Sequence, residues 1–128
     1  MTDFYQEAML AEFKEPQNKG KLVPADLEHE GRNASCGDEI KLYLKFATDG
    51  QTITDIKWEG RGCVVSVTSM SLLSEKIKGK TLAELKTWDK TNLLPFFGMS
   101  EVNRGREKCF LLGLNAVQQA LELWEAKQ

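Results

Sequence analysis

Residues 3 to about 14 place Phe4, Tyr5, Ala8, Met9 and Phe13 at helical spacing, in adjacent or single positions that recur after three or four residues. This spacing predicts a helix with one apolar stripe. Pro16 and the Asn18-Lys19-Gly20 turn should end it. A polar segment follows, with an edge strand expected within residues 26–33. Over 39–47 the period changes to two: Ile40, Leu42, Leu44 and Phe46 face one way, and Lys41, Tyr43 and Lys45 the other. That alternation predicts a half-buried strand. Asp49-Gly50 is a hairpin signal, and a second strand is expected over 52–58. There Ile53, Asp55, Ile56 and Trp58 alternate imperfectly.

Beyond Gly60-Arg61-Gly62 the helical period returns. Val64, Val67, Met70 or Ser71, Ser74 and Ile77 lie three or four apart, so Cys63 should open a helix that Gly79 closes. Ser66, Thr68, Ser69 and Ser71 make part of this helix unusually rich in small hydroxyls. Thr81-Leu82-Ala83-Glu84 has the form of a capping box and predicts a further helix. Residues 92–105, with Pro95, Gly98 and Gly105, are expected to form a loop. The last helix is expected from about 107 to 126, striped by Phe110, Leu114, Val117, Leu121 and Trp124. Strands grouped together and then helices grouped together predict an α+β fold: a small antiparallel β-sheet of about three strands, with helices packed on one face. The 128 residues suit a single domain over 1–128.

Composition adds exclusions. Seventeen Lys and Arg against nineteen Asp and Glu give a net charge of −2, which argues against nucleic acid as a partner. No apolar run reaches the length of a membrane span. The first residues lack the basic n-region and unbroken apolar core of a signal peptide. A cytoplasmic location is expected. In a reducing compartment the three cysteines, Cys36, Cys63 and Cys109, are core residues, nucleophiles or metal ligands rather than structural disulfides.

Cys36 and Asp38 stand two apart in Asn33-Ala34-Ser35-Cys36-Gly37-Asp38. If the strand of 39–47 begins a residue or two early, both side chains project to the same side. Two anions so close repel unless a cation or a proton lies between them. The plainer alternative is a polar turn with an incidental cysteine. Cys63, behind Gly60-Arg61-Gly62, is placed where backbone N–H groups and the helix dipole favour a thiolate. Cys109 is expected in the first turn of the last helix, behind Arg106 and Lys108, two cations that would lower its pKa. For either cysteine alone, a core thiol is the alternative. Together the three sulfurs and one carboxylate make a four-ligand set suited to zinc or iron. There is no Cys-x-x-Cys pair, so only a finished fold could unite them. A carboxylate among thiolates suits a site whose contents are exchanged. His29, the single histidine, lies between Glu28 and Glu30 and reads as a surface residue.

These residues carry a recognisable pattern. The stretches FYQEAMLAEFKEPQNKG, NASCGDEIKLYLKF, WEGRGCVVSVTSMSLLSEKIKGK and REKCFLLGLNAVQQAL contain the motifs NxxCGD, GxGCxxS and RxKC. In them the chain resembles the iron–sulfur cluster assembly scaffold family, IscU and the NifU N-terminal domain, and most closely its SufU branch. The resemblance implies a SufE/NifU-like fold. It implies that Cys36, Asp38, Cys63 and Cys109 surround one zinc ion or a transient iron–sulfur cluster. It also implies a cysteine desulfurase of the SufS or IscS kind as sulfur donor, and downstream iron–sulfur acceptor or assembly proteins. The position matching Cys36 is the sulfur acceptor in the SufU branch, and Arg106 and Lys108 match that branch's motif. Two features depart from the relatives. Lys108 and Gly105-Arg106-Glu107 stand where the IscU branch has a histidine and a chaperone site, and the SufU insertion before the third cysteine is missing. The expected function is sulfur acceptance from a desulfurase, scaffolding of nascent clusters, or both. The rival readings are a small domain with a purely structural zinc and a metal-free thiol redox enzyme.

Overall fold

Alternation in the middle strand organises the molecule. In the computed structural model, which describes residues 10–33, 37–98, 101–102 and 104–127, three strands form an antiparallel sheet in the order β1-β2-β3. They are β1 (Leu27–Asn33), β2 (Asp38–Phe46) and β3 (Ile53–Arg61). Ile40, Leu42 and Leu44 of β2 are buried on the helix-bearing face. Strand β2 begins one residue earlier than expected, at Asp38. Strand β3 runs three residues past the expected end.

The imperfect alternation of β3 has a local cause. The register shifts between Lys45 and Phe46, so Lys45 pairs with Asp55 and Phe46 with Ile53. Such a bulge absorbs one extra residue. It lets Ile53 join Ile56 and Trp58 in the core, all three without exposure.

Residues 10–14 are helical (α1); the remainder of the expected first helix lies outside the described residues. The other helices are α2 (Val64–Ile77), α3 (Leu82–Lys86), α4 (Lys90–Leu93), a 3-10 turn (Leu94–Phe97) and α5 (Arg104–Ala126). The core lies between the sheet and the long helices α2 and α5. Phe46 stacks on Trp124 with ring centroids 4.3 Å apart, and Trp124 Nε1 donates to the carbonyl of Gly50 at 2.9 Å. This ties the end of α5 to the hairpin. The capping box of α3 has both halves: the Thr81 hydroxyl accepts from the Glu84 N–H, and the Glu84 carboxylate accepts from the Thr81 N–H.

The expected loop over 92–105 is corrected. It contains the end of α4, the 3-10 turn and the start of α5, and Leu93, Leu94 and Phe97 are buried. Their apolar burial, with Phe97 5.1 Å from Phe110 between ring centroids, outweighs the Pro and Gly punctuation. Helix α5 therefore starts at Arg104 instead of about 107. Cys109 falls in its second turn instead of the expected first, beyond the reach of the helix dipole.

The small hydroxyls of α2 are buried and paired. Ser69 Oγ donates to the Phe110 carbonyl at 2.7 Å. Ser71 Oγ donates to Glu12 at 2.6 Å and accepts from the Gln17 N–H at 2.7 Å. Asn18 Nδ2 donates to Ser74 Oγ at 2.9 Å. Short side chains on α2 let α5 and the segment after α1 approach closely, and hydrogen bonds replace part of the apolar packing.

Candidate metal centre

Asp38 is the first residue of β2 and has the same alternation phase as Ile40, Leu42 and Leu44. Its carboxylate is therefore carried onto the core side, where it is 5% exposed. A carboxylate buried to this degree costs several kcal/mol unless partnered (of order the values for buried ions). It has partners: Ser66 Oγ of α2 donates to Asp38 Oδ2, and the backbone of Gly62 lies against the carboxyl group.

Cys63 is the N-cap of α2, with φ −71° and ψ 169°. The extended conformation there turns the chain sharply from β3 into the helix, and the side chain is half-buried. Burial alone would push the Cys63 thiol up. Hydrogen bonding to the Ser66 hydroxyl, with the Ser66 N–H facing the sulfur and the Cys109 thiol beside it, outweighs burial and the nearby Asp38 charge. The net direction is down, toward thiolate. The Ser66 N–H closes no cap bond, so it acts by facing the sulfur. Cys109 comes from α5 and is buried.

One ligand atom from each of Asp38, Cys63 and Cys109 lies within 4.8 Å of the others. A strand start, a helix N-cap and the second turn of a distant helix thus meet at one point. Cys36 lies outside the described residues. Of the supporting cations, Arg106 lines a cavity of about 610 Å³ with Gly62, Cys63, Val64, Val65, Leu10 and Phe13. Lys108 instead lines a groove of about 740 Å³ between β1 and α5, with Gly31, Arg32 and Arg104 among its neighbours. Arg106 therefore borders the Cys63 mouth, and Lys108 faces a different surface. His29 does not join the cluster: its Nε2 is 3.2 Å from Gln119 Oε1 on α5.

Ser66 was not singled out by sequence reasoning as a functional residue. Its signal was the final Ser of GxGCxxS, three positions beyond the N-cap cysteine, where an N3 side chain reaches back over the helix start.

Residues 4–128 match the NifU-like N-terminal domain family. The chain belongs to this family. It is 37% identical to the iron–sulfur cluster assembly scaffold protein IscU of Thermotoga maritima, across 92% of each chain. The zinc-dependent sulfurtransferase SufU of Bacillus subtilis is also 37% identical, over 61% of this chain and 51% of SufU. A crystal structure from Fervidobacterium islandicum, assigned as a SUF-system cluster assembly scaffold, superposes with a TM-score of 0.75. That pair shares 32% identity over 90% of this chain and 94% of the other. This NifU-like domain thus has relatives of both the scaffold and the sulfurtransferase kind. No described helix is long and apolar enough to cross a membrane.

Proposed function

We propose that this NifU-like chain is an iron–sulfur cluster assembly protein that takes sulfur from a cysteine desulfurase and works at Cys36, Asp38, Cys63 and Cys109. The observation that carries the reading is the meeting of Asp38, Cys63 and Cys109 ligand atoms within 4.8 Å. Two sulfurs and a buried carboxylate so close repel one another as anions. Donors around a tetrahedral zinc stand roughly 3.5–4 Å apart, so the donor set fits zinc or iron with Cys36 as the fourth ligand. Zinc, when bound, would hold the sulfurs as thiolates and shield them from oxidation.

The chain's own part is a thiol exchange. The Cys36 thiolate attacks the outer sulfur of the donor's persulfide, the donor's S–S bond breaks, and the donor cysteine leaves as a thiolate. Cys36 keeps the transferred sulfur as its own persulfide. Arg106, at the mouth beside Cys63, offsets the accumulated negative charge, whereas Lys108 lines the separate groove between β1 and α5. In the scaffold form of the function, iron and sulfide are cargo on this ligand set until a downstream acceptor takes them. The relatives support both forms, one named as a scaffold and one as a sulfurtransferase. A purely structural zinc fits less well, because the site lies at the rim of a core that is already large.

The test is to incubate the protein with a desulfurase and cysteine and to measure sulfur bound per chain. Cys36→Ser is expected to abolish sulfur acceptance. Acceptance by that variant at the wild-type rate would show that Cys36 is not the acceptor.

A further inference from the structure

One hydroxyl touches two members of the ligand cluster. Ser66 is the third residue of α2 and is 1% exposed. Its Oγ donates to Asp38 Oδ2 and lies 3.5 Å from Cys63 Sγ. The other flank of the carboxylate is seated against Gly62, where a Cβ would come within 3.0 Å of Asp38 Oδ1. The Asp38 side chain is therefore gripped from both sides. The grip holds it in the rotamer that keeps a carboxylate oxygen within 4.8 Å of both sulfurs.

Nothing in the core requires a hydroxyl at position 66. Alanine would fill nearly the same volume without a buried polar atom. The serine becomes intelligible through what it does to Asp38. A monodentate carboxylate is a weak ligand among thiolates, and its contribution depends on how much orientational freedom it gives up on binding. A hydrogen bond that fixes its orientation beforehand removes that cost.

We propose that Ser66 is a positioning residue for the Asp38 ligand, setting the site's metal affinity by orienting the carboxylate toward the two sulfurs. The inference rests on the metal-site reading above and assigns the serine of GxGCxxS a role within it. Ser66 itself binds no metal. It acts chiefly through Asp38, to which its hydroxyl donates, and only weakly through the longer contact to Cys63, so most of its effect should be lost when Asp38 is gone.

The test is a double-mutant cycle on zinc affinity, measured by competition with a chromophoric chelator, on Ser66→Ala, Asp38→Ala and the double variant. Ser66→Ala is expected to lose about 10–100-fold in affinity, the range typical of partners that orient a metal ligand. In the Asp38→Ala background the loss from Ser66→Ala should shrink to a small fraction of its size in the wild type, and Ser66→Thr, which keeps the hydroxyl, should retain wild-type affinity. Wild-type affinity in Ser66→Ala, multiplying losses in the double variant, or a Ser66→Thr loss as large as that of Ser66→Ala would each overturn the role. Circular dichroism of the metal-free variants separates folding from binding: Ser66→Ala should melt as one cooperative domain, and loss of that transition would make Ser66 a folding residue instead. If Asp38→Ala binds zinc as tightly as wild type, the metal-site reading itself fails. If Asp38→Ala weakens binding and Ser66→Ala does not, only the Ser66 inference falls.

Discussion

A methyl group at position 62 would sit 2.8 Å from Asp38 Cγ, and one at position 31 would sit 2.6 Å from the Cβ of Ala116 on α5. Both contacts are closer than carbon atoms tolerate, yet their consequences differ. At Gly62 the obstructed group is a ligand, so Gly62→Ala is expected to push the carboxylate out of place. Zinc affinity should fall about tenfold, as for other changes that disturb the orientation of a ligand. At Gly31 the obstructed group belongs to the packing of β1 on α5. Gly31→Ala should cost about 1–3 kcal/mol of stability, the usual penalty for overpacking, and leave zinc affinity unchanged. Thermal melts and chelator competition on both variants check this. Equal effects on both quantities in the two variants would show that the cluster and the β1–α5 interface are not separable.

At the scale of elements, end signals decide where short helices form. Helix α4 is only four residues long, too short to be stable from propensity alone. Asp89 caps it, its side chain accepting from the Thr91 N–H, while Asn92 completes the box on the Asp89 N–H. Hydrogen bonds from the Thr91 side chain and backbone hold the Asp89 carboxyl below the usual range. Backbone bonds from Gln51 and Thr52 do the same for Asp49 in the hairpin, and Asn18 and Lys78 for Glu75. For a carboxyl with a depressed folded-state pKa, the stabilisation is present above the unfolded pKa and is lost as pH falls through the folded one. Stability should therefore decline on acidification from roughly pH 5 downward. Asp89→Asn keeps a cap but removes the titration, so its melting temperature should match wild type near neutrality and fall less steeply in acid. Coincident acid limbs for the two proteins would exclude a contribution from Asp89. The Thr81 box and the hairpin were legible because their signals are local. Residues 92–105 were misread because burial of Leu93, Leu94 and Phe97 depends on partners far along the chain.

At the scale of the whole molecule, the candidate site lies at one end of a core that includes Leu42, Ile56, Trp58, Leu73 and Phe110. A core of this size is within the range that can fold without an ion. Stripping the metal with a chelator should therefore leave the far-ultraviolet circular dichroism nearly unchanged and lower the melting temperature only by the linkage of binding to folding. Global unfolding on chelation would instead mark the metal as a structural element.

The sequence by itself determined the period-two strands, the helix that follows Gly62, the α+β class and the identity of the candidate ligands, because alternation, capping and side-chain chemistry act over a few residues. It also carried the family resemblance, since motifs survive in the linear order of residues. Only the tertiary structure decided that Asp38, Cys63 and Cys109 share one small volume, that α5 begins early enough to bury Cys109 past its first turn, and that Ser66 reaches both Asp38 and Cys63. Those relations join residues far apart along the chain. They exist only once the sheet, α2 and α5 have closed on a common core.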